Sequence, residues 1–228
     1  MRLFNLDEVS LRELNQALHD CNGSDEASAW TVTNTKGKHA VAAGIDAPLV
    51  VTINGHVGYY CAGMNKQAEI TIRGNAGPGV AENMMSGLVR VTGNASQYAG
   101  ASAHGGLLVI EGNAGSRCGI SMKGVDVVVR GSIGHMGAFM AQKGRLVICG
   151  DAGGALGDSL YEARIYVKGK VAGLGADSVE KPMTEEHEQE VEQLLKQAGI
   201  RGVDVAGFRR YGSARKLYHF NVDNVDAY

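Results

Sequence analysis

Seven glycines, Gly55, Gly74, Gly93, Gly112, Gly131, Gly150 and Gly169, recur every 19 residues without a slip. Two residues before them stand Ile53, Ile72, Val91, Ile110, Val129, Ile148 and Val167, and four before stand Val51, Ile70, Val89, Leu108, Val127, Leu146 and Ile165, all aliphatic. The residue directly before the glycine is polar in six of seven copies, Cys149 being the exception. Alternation of this kind marks a strand with one buried face. Two residues after the glycine come Val57, Ala76, Ala95, Ala114, Ile133, Ala152 and Val171, so the chain turns and points inward again. The unit reads strand, glycine corner, short inward segment, loop. One such unit cannot cover its own apolar face; stacked copies can.

A 19-residue period is too short for a helical pair and fits one coil of a parallel β-solenoid. Equivalent residues then stack ~4.8 Å apart, giving a rod roughly 30 Å long. Left-handed solenoids built from hexapeptides take about 18 residues per coil with an aliphatic residue every sixth. Neither feature holds here. The expected fold is therefore all-β: a right-handed parallel β-helix of about seven 19-residue coils with short α-helical caps at both ends. Asn75, Asn94 and Asn113 share one register and predict an internal Asn ladder whose amides bond up and down the stack. Cys61 and Cys118 share another register, three coils and ~14 Å apart, beyond disulfide reach.

The ends of a stack need covers. At the front, Ser10 and Glu13 predict a capping box, Leu11, Leu14 and Leu18 an apolar helix face, and Cys21-Asn22-Gly23 a stop. Residues 30–54 read as an irregular first strand and coil, with a shortened spacing before Gly55. At the back, Pro182 and Thr184 open a second helix, Val191, Leu194, Leu195 and Ala198 stripe it, and Gly199 ends it. The tail beyond is rich in aromatic and basic residues. Phe208, Arg209, Arg210, Tyr211, Arg215, Lys216, Tyr218 and His219 are expected to dock a partner, because aromatic and arginine side chains anchor interfaces. The chain divides into 1–35 (capping helix and strand), 36–175 (β-helix) and 176–228 (helix and aromatic, basic tail).

Against this frame, chemistry is sparse. The glycines Gly74, Gly77 and Gly79 after AEITIR resemble a phosphate loop, but VAENMMS is too short for the helix whose N–H groups would converge on a phosphate. His56, His104 and His135 fall at three registers, and so do Asp126, Asp151 and Asp158, which argues against a metal pair or paired hydrolytic carboxylates. Met84 with Met122, and Met64 with Met140, share registers and read as packing filler. The four cysteines show no CxxC and read as reduced, mostly buried thiols. Net charge of −2 does not mark the chain for nucleic acid or an acidic membrane, and no apolar run suits a membrane span. The expectation is a soluble, cytoplasmic chain with no catalytic, cofactor-binding or metal-ligating residue of its own. An enzymatic rival, a carbohydrate-active β-helix, requires carboxylates clustered along one groove.

The recurring GLVRVTGNAS, GLLVIEGNAGSRCG and GRLVICGDAGG resemble the GXGXG repeat over about residues 40–175. This is the right-handed β-helix at the C-terminus of the glutamate synthase large subunit and in the β-helical subunit of formylmethanofuran dehydrogenase. More specifically, GHVGYYCAGMN (55–65), GPGVAENMMSG (77–87), SQYAGASAHGGLLVIEGNA (96–114), GHMGAFM (134–140) and RRYGSARKLYHF (209–220) look like the stand-alone glutamate synthase-like small subunit associated with N-methylglutamate synthase. The resemblance implies a non-catalytic scaffold in a three-part enzyme that converts glutamate and methylamine to N-methylglutamate and ammonia. Its implied partners are a class II glutamine amidotransferase-like subunit and an FMN-containing glutamate synthase-like subunit, the latter with an iron–sulfur cluster as a further expectation. Met1 is followed by Arg2, so the amidotransferase's N-terminal cysteine nucleophile is expected on the partner. The alternative is the β-helical subunit of a formylmethanofuran dehydrogenase.

Overall fold

A computed structural model describes residues 2–21 and 29–216. The chain opens with β1 (Arg2–Asn5), α1 (Leu11–Asp20) and β2 (Ala29–Thr33). The repeat supplies β3 (Val50–Asn54), β4 (Glu69–Arg73), β5 (Leu88–Val91), β6 (Leu107–Ile110), β7 (Lys123–Val129), β8 (Lys143–Ile148) and β9 (Arg164–Val167). It closes with β10 (Ser178–Lys181), α2 (Glu185–Gln197) and β11 (Arg209–Ser213). Among the described residues these strands form one eleven-stranded sheet, in chain order from β1 to β9 and then β11 and β10. This is the expected solenoid of about seven turns with two short helices.

The period sets the pairing. Val51 faces Ile70, Ile70 faces Val89, and Val89 faces Leu108, each offset by 19. Their side chains and those of Ile53, Ile72, Val91 and Ile110 are completely buried in one continuous core. Each stabilises by about 1.5–3 kcal/mol relative to exposure. The second inward segment forms its own column of parallel bridges from Val57 and Ala76 through to Ala152 and Val171. The third side of each coil is built differently. Tyr60, Ala62 and Met64 have φ of 61°, 55° and 55°, and in the next coil Gly79, Ala81 and Asn83 repeat the left-handed backbone at the same alternate positions. The arm is held from both sides: Tyr60 N–H donates to Pro78 O (2.9 Å) and Met64 N–H to Glu82 O (2.8 Å) in the following coil, while Ala62 N–H donates back to Val41 O (3.0 Å).

Apart from Gly55, whose φ is 133°, the corner glycines answer to crowding rather than to φ. A Cβ on Gly74 would lie 2.6 Å from Gly55 O, and one on Gly77 would lie 2.5 Å from the Gly58 carbonyl carbon. Backbones of successive coils touch there, so Gly74 and Gly77 are stacking features, whereas Gly79 takes up the left-handed backbone of the third side.

The polar ladder is real but is neither internal nor made of amide pairs. Asn75 Oδ1 accepts from Asn94 N–H, Asn94 Oδ1 from Asn113 N–H, and Asn113 Oδ1 from Ser132 N–H, each at 2.8 Å and all at the exposed edge. It also runs beyond asparagine. His56 Nδ1 accepts from Asn75 N–H (2.9 Å), Ser132 Oγ from Asp151 N–H (2.9 Å) and Asp151 Oδ1 from Lys170 N–H (2.7 Å). The column requires an acceptor one residue after the corner, and several residue types supply one.

The N-terminal cover forms as expected in its helix: Ser10 Oγ accepts from Glu13 N–H, Glu13 carboxylate accepts from Ser10 N–H, and Leu14 and Leu18 are buried. Two features differ. Trp30 faces Val51, an offset of 21, so the first spacing is lengthened rather than shortened. β1 adds a further strand beside β2, Arg2 facing Trp30. The helix also substitutes for a missing coil: Asn15 donates to Ala40 O (2.9 Å) and accepts from Ala42 N–H (3.0 Å), and His19 Nε2 meets Ala43 O (2.8 Å). Of the expected stop at Cys21-Asn22-Gly23, Cys21 is the C-cap of the helix, and Asn22 and Gly23 lie outside the described residues.

Candidate partner interface

The column three residues before each corner glycine lies on the outer face of the sheet. It begins Thr52, Thr71, Arg90 and then turns apolar: Val109, Val128, Val147, Tyr166. Those four are fully buried because α2 lies across them. Val191, Leu194, Leu195 and Ala198, spaced one helical face apart, pack onto this second apolar cluster with Phe208. The C-terminal helix therefore covers the flank of β6–β9, and does not plug the end of the rod.

Charge fixes its position. Arg145 grips Asp126 through two contacts (Nε–Oδ1 2.6 Å, Nη2–Oδ2 2.5 Å) and reaches Glu190 of α2 at 3.2 Å. Arg164 holds the same Glu190 oxygen at 2.9 Å, and the Tyr166 hydroxyl donates to the other oxygen. Burial alone would raise the Glu190 pKa; the Tyr166 hydroxyl and the Arg164 and Arg145 guanidiniums outweigh it and hold the carboxyl below its usual range. At the other end, Arg90 donates to Ala198 O (2.9 Å), satisfying a helix C-terminal carbonyl. His187 Nδ1 accepts from the N-cap Thr184 N–H (3.3 Å), and burial with nearby Arg210 and Arg164 lowers its pKa.

The tail residues are dispersed rather than gathered on one surface. Phe208 and Tyr211 are 4% and 2% exposed and serve the chain's own cores. Arg209 donates to Gly169 O (2.7 Å) and Arg210 to Pro182 O (3.0 Å). Both belong to β11, which lies antiparallel between β9 and β10. Arg215 pairs loosely with Glu162 at 3.6 Å and Lys216 N–H donates to Asp177 (2.9 Å); both side chains face solvent. Tyr218 and His219 lie outside the described residues.

The groups considered for chemistry are engaged in structure. Cys61, Cys118 and Cys149 are thiols pushed up by burial, Cys118 to about 12 and Cys149 to about 11. His56 and Asp151 are rungs of the ladder, His135 Nδ1 bonds Ser116 (2.9 Å), and Asp126 is held by Arg145. Met84 and Met122 are core, whereas Met64 and Met140 are 49% and 39% exposed. Among the described residues, no group of three or more His, Cys, Asp or Glu is placed to hold a metal. Among them, too, no helix is long and apolar enough to cross a membrane.

No family model matches the chain. Its fold is similar to that of a chain in the formyltransferase/hydrolase complex (FhcABCD) from Methylorubrum extorquens, solved in complex with methylofuran. The TM-score is 0.56 at 24% identity, covering 73% of this chain and 74% of that one. It is 59% identical over 228 residues to Protein GlxC of Rhizobium meliloti (strain 1021), spanning 100% of both. With that identity along its whole length, the chain belongs to the GlxC family.

Proposed function

We propose that this chain is the non-catalytic scaffold subunit of a glutamate synthase-like, multi-subunit enzyme, and specifically of N-methylglutamate synthase. The carrying observation is where its reactive side chains are used. Asp126, Arg145, Arg164 and Glu190 clamp α2 to the sheet, and His56 and Asp151 accept backbone N–H groups between coils. A stack so committed to its own rigidity suits a brace between active-site subunits. The motifs in 55–65, 77–87 and 209–220 support the glutamate synthase-like assignment. On this reading a class II glutamine amidotransferase-like subunit and an FMN-containing synthase-like subunit, with or without an iron–sulfur cluster, flank it in the cytoplasm, and the assembly makes N-methylglutamate and ammonia from glutamate and methylamine.

Co-expression tests it. The chain is expected to co-elute with both subunits in fixed ratio, and glutamate- and methylamine-dependent ammonia release is expected to fall when the chain is omitted. Separate elution, or full turnover without it, sinks the reading. The fold likeness to the formyltransferase/hydrolase chain favours one second reading, the β-helical member of a formylmethanofuran dehydrogenase-like complex. Assembly with that set of subunits instead would select it.

A further inference from the structure

A groove of about 610 Å³ runs between α2 and residues 200–205. Its floor is apolar: Ile200, Val203 and Val205 are only partly covered and continue the cluster around Leu195. Its rim is acidic, with Glu185, Glu188 and Glu192 on the helix and Asp204 opposite. Helix-dipole stabilisation accounts for Glu185 in the first turn. It accounts for Glu188 in the same turn as well, but not for Glu192, which lies further along; both are exposed and carry no ion pair among the described residues. Two cations, Lys196 and Arg201, also line the groove, both near the helix C-terminus, which leaves the stretch from Glu185 to Glu192 uniformly negative.

Apolar floors with one-signed rims bind complementary polypeptide: apolar anchors fill the floor while charge sets register and on-rate. We infer that this groove docks a lysine- or arginine-rich segment of a partner chain, its apolar side chains seated on Ile200, Val203 and Val205 and its cations along Glu188 and Glu192. The inference rests on the proposed role as a complex subunit and names the surface through which that role is exercised. The occupant is basic because a neutral or acidic segment would leave the rim glutamates desolvated and unpaired.

The test uses the full chain and the double variant Glu188→Lys/Glu192→Lys, whose altered side chains are exposed, so its far-UV spectrum should match the parent and its melt should drop only slightly, from the first-turn charge at 188. Affinity for the co-expressed amidotransferase-like and FMN-containing subunits is measured by titration at low salt and at about 0.5 M salt. The parent is expected to bind one of them more weakly at high salt, and the variant to bind it at least about tenfold more weakly at low salt. Parental assembly with unchanged affinity in the variant overturns the groove assignment and leaves the proposed function standing. If the parent assembles with neither subunit, the proposed function falls, and a short fluorescent peptide of alternating leucine and lysine decides the groove. Binding that the double variant loses sustains it; no binding, or equal binding to both proteins, overturns it.

Discussion

Ending the chain at Gly199 would remove β11 while leaving every solenoid coil and α2 in place. The cost follows from what β11 holds. Phe208 and Tyr211 are buried, and losing two such aromatic side chains from the interior costs roughly 3–6 kcal/mol. β11 also pairs with β9 on one side and β10 on the other, and the lost ladder adds roughly 3–4 kcal/mol. The sum, roughly 6–10 kcal/mol, rivals the whole stability of an ordinary domain at about 5–15 kcal/mol. In a globule, global unfolding would follow. In a stack, where each coil contacts only its neighbours, the loss should stay local. Hydrogen exchange followed by mass spectrometry should show fast exchange in β9, β10 and α2 and retained protection from β3 to β6. Loss of protection throughout β3–β6 would refute nearest-neighbour stability. Unchanged protection in β9 would refute the placement of β11.

Four other outcomes are expected. Ile110→Asp or Val129→Asp places an unpaired charge among fully buried aliphatics and should cost several kcal/mol, read as a large drop in the urea midpoint or loss of soluble protein. Leu194→Ala, at a position 1% exposed under α2, should cost about 2–5 kcal/mol and raise exchange in the helix before the coils. Asn94→Ala should cost about 1 kcal/mol by chemical denaturation, whereas Asn94→Asp, which keeps the acceptor for Asn113 N–H, should cost less. Because the folded Glu190 pKa lies below its unfolded value, its contribution is present above the ordinary glutamate range and is lost as pH falls through the folded value. A pH series of melts should therefore show Glu190→Gln losing stability at neutral pH and converging on the parent in acid.

The sequence made the stack legible because each coil puts the same side chains into the same environment, so Val51, Ile70 and Val89 announce both strand and register. The flank was legible in principle: the change from Thr52, Thr71 and Arg90 to Val109, Val128 and Val147 marks where a helix must cover the outer face. That signal runs down the column, not along the chain, and is invisible to strand alternation. β11 was hidden for another reason. Arg209-Arg210-Tyr211-Gly212-Ser213 lacks aliphatic alternation, and its place between β9 and β10 is set by pairing with distant residues. The left-handed arm was hidden too, since Tyr60, Ala62 and Met64 have no intrinsic preference for positive φ and adopt it because both neighbouring coils bond the same backbone. The candidate interface suffered from both effects: aromatic residues read as anchors became core, while the acidic groove drew its floor from residues beyond the helix.

The offset of 19 between neighbouring core strands from β3 to β9 makes the molecule a ruler with discrete graduations. Adding or removing one residue within a core strand would throw that strand's inward column onto the wrong face unless a bulge absorbs it, as one does between Lys123 and Asp126, whereas adding or removing a whole coil would change only the length, by ~4.8 Å. Such changes are confined to the stretch before β5, because α2 is fastened to β5 through Arg90 and to β6, β7, β8 and β9 through its apolar face. The spacing between α1 and α2 is therefore adjustable in evolution only in coil-sized steps, and all of that adjustment must come from the N-terminal half of the rod.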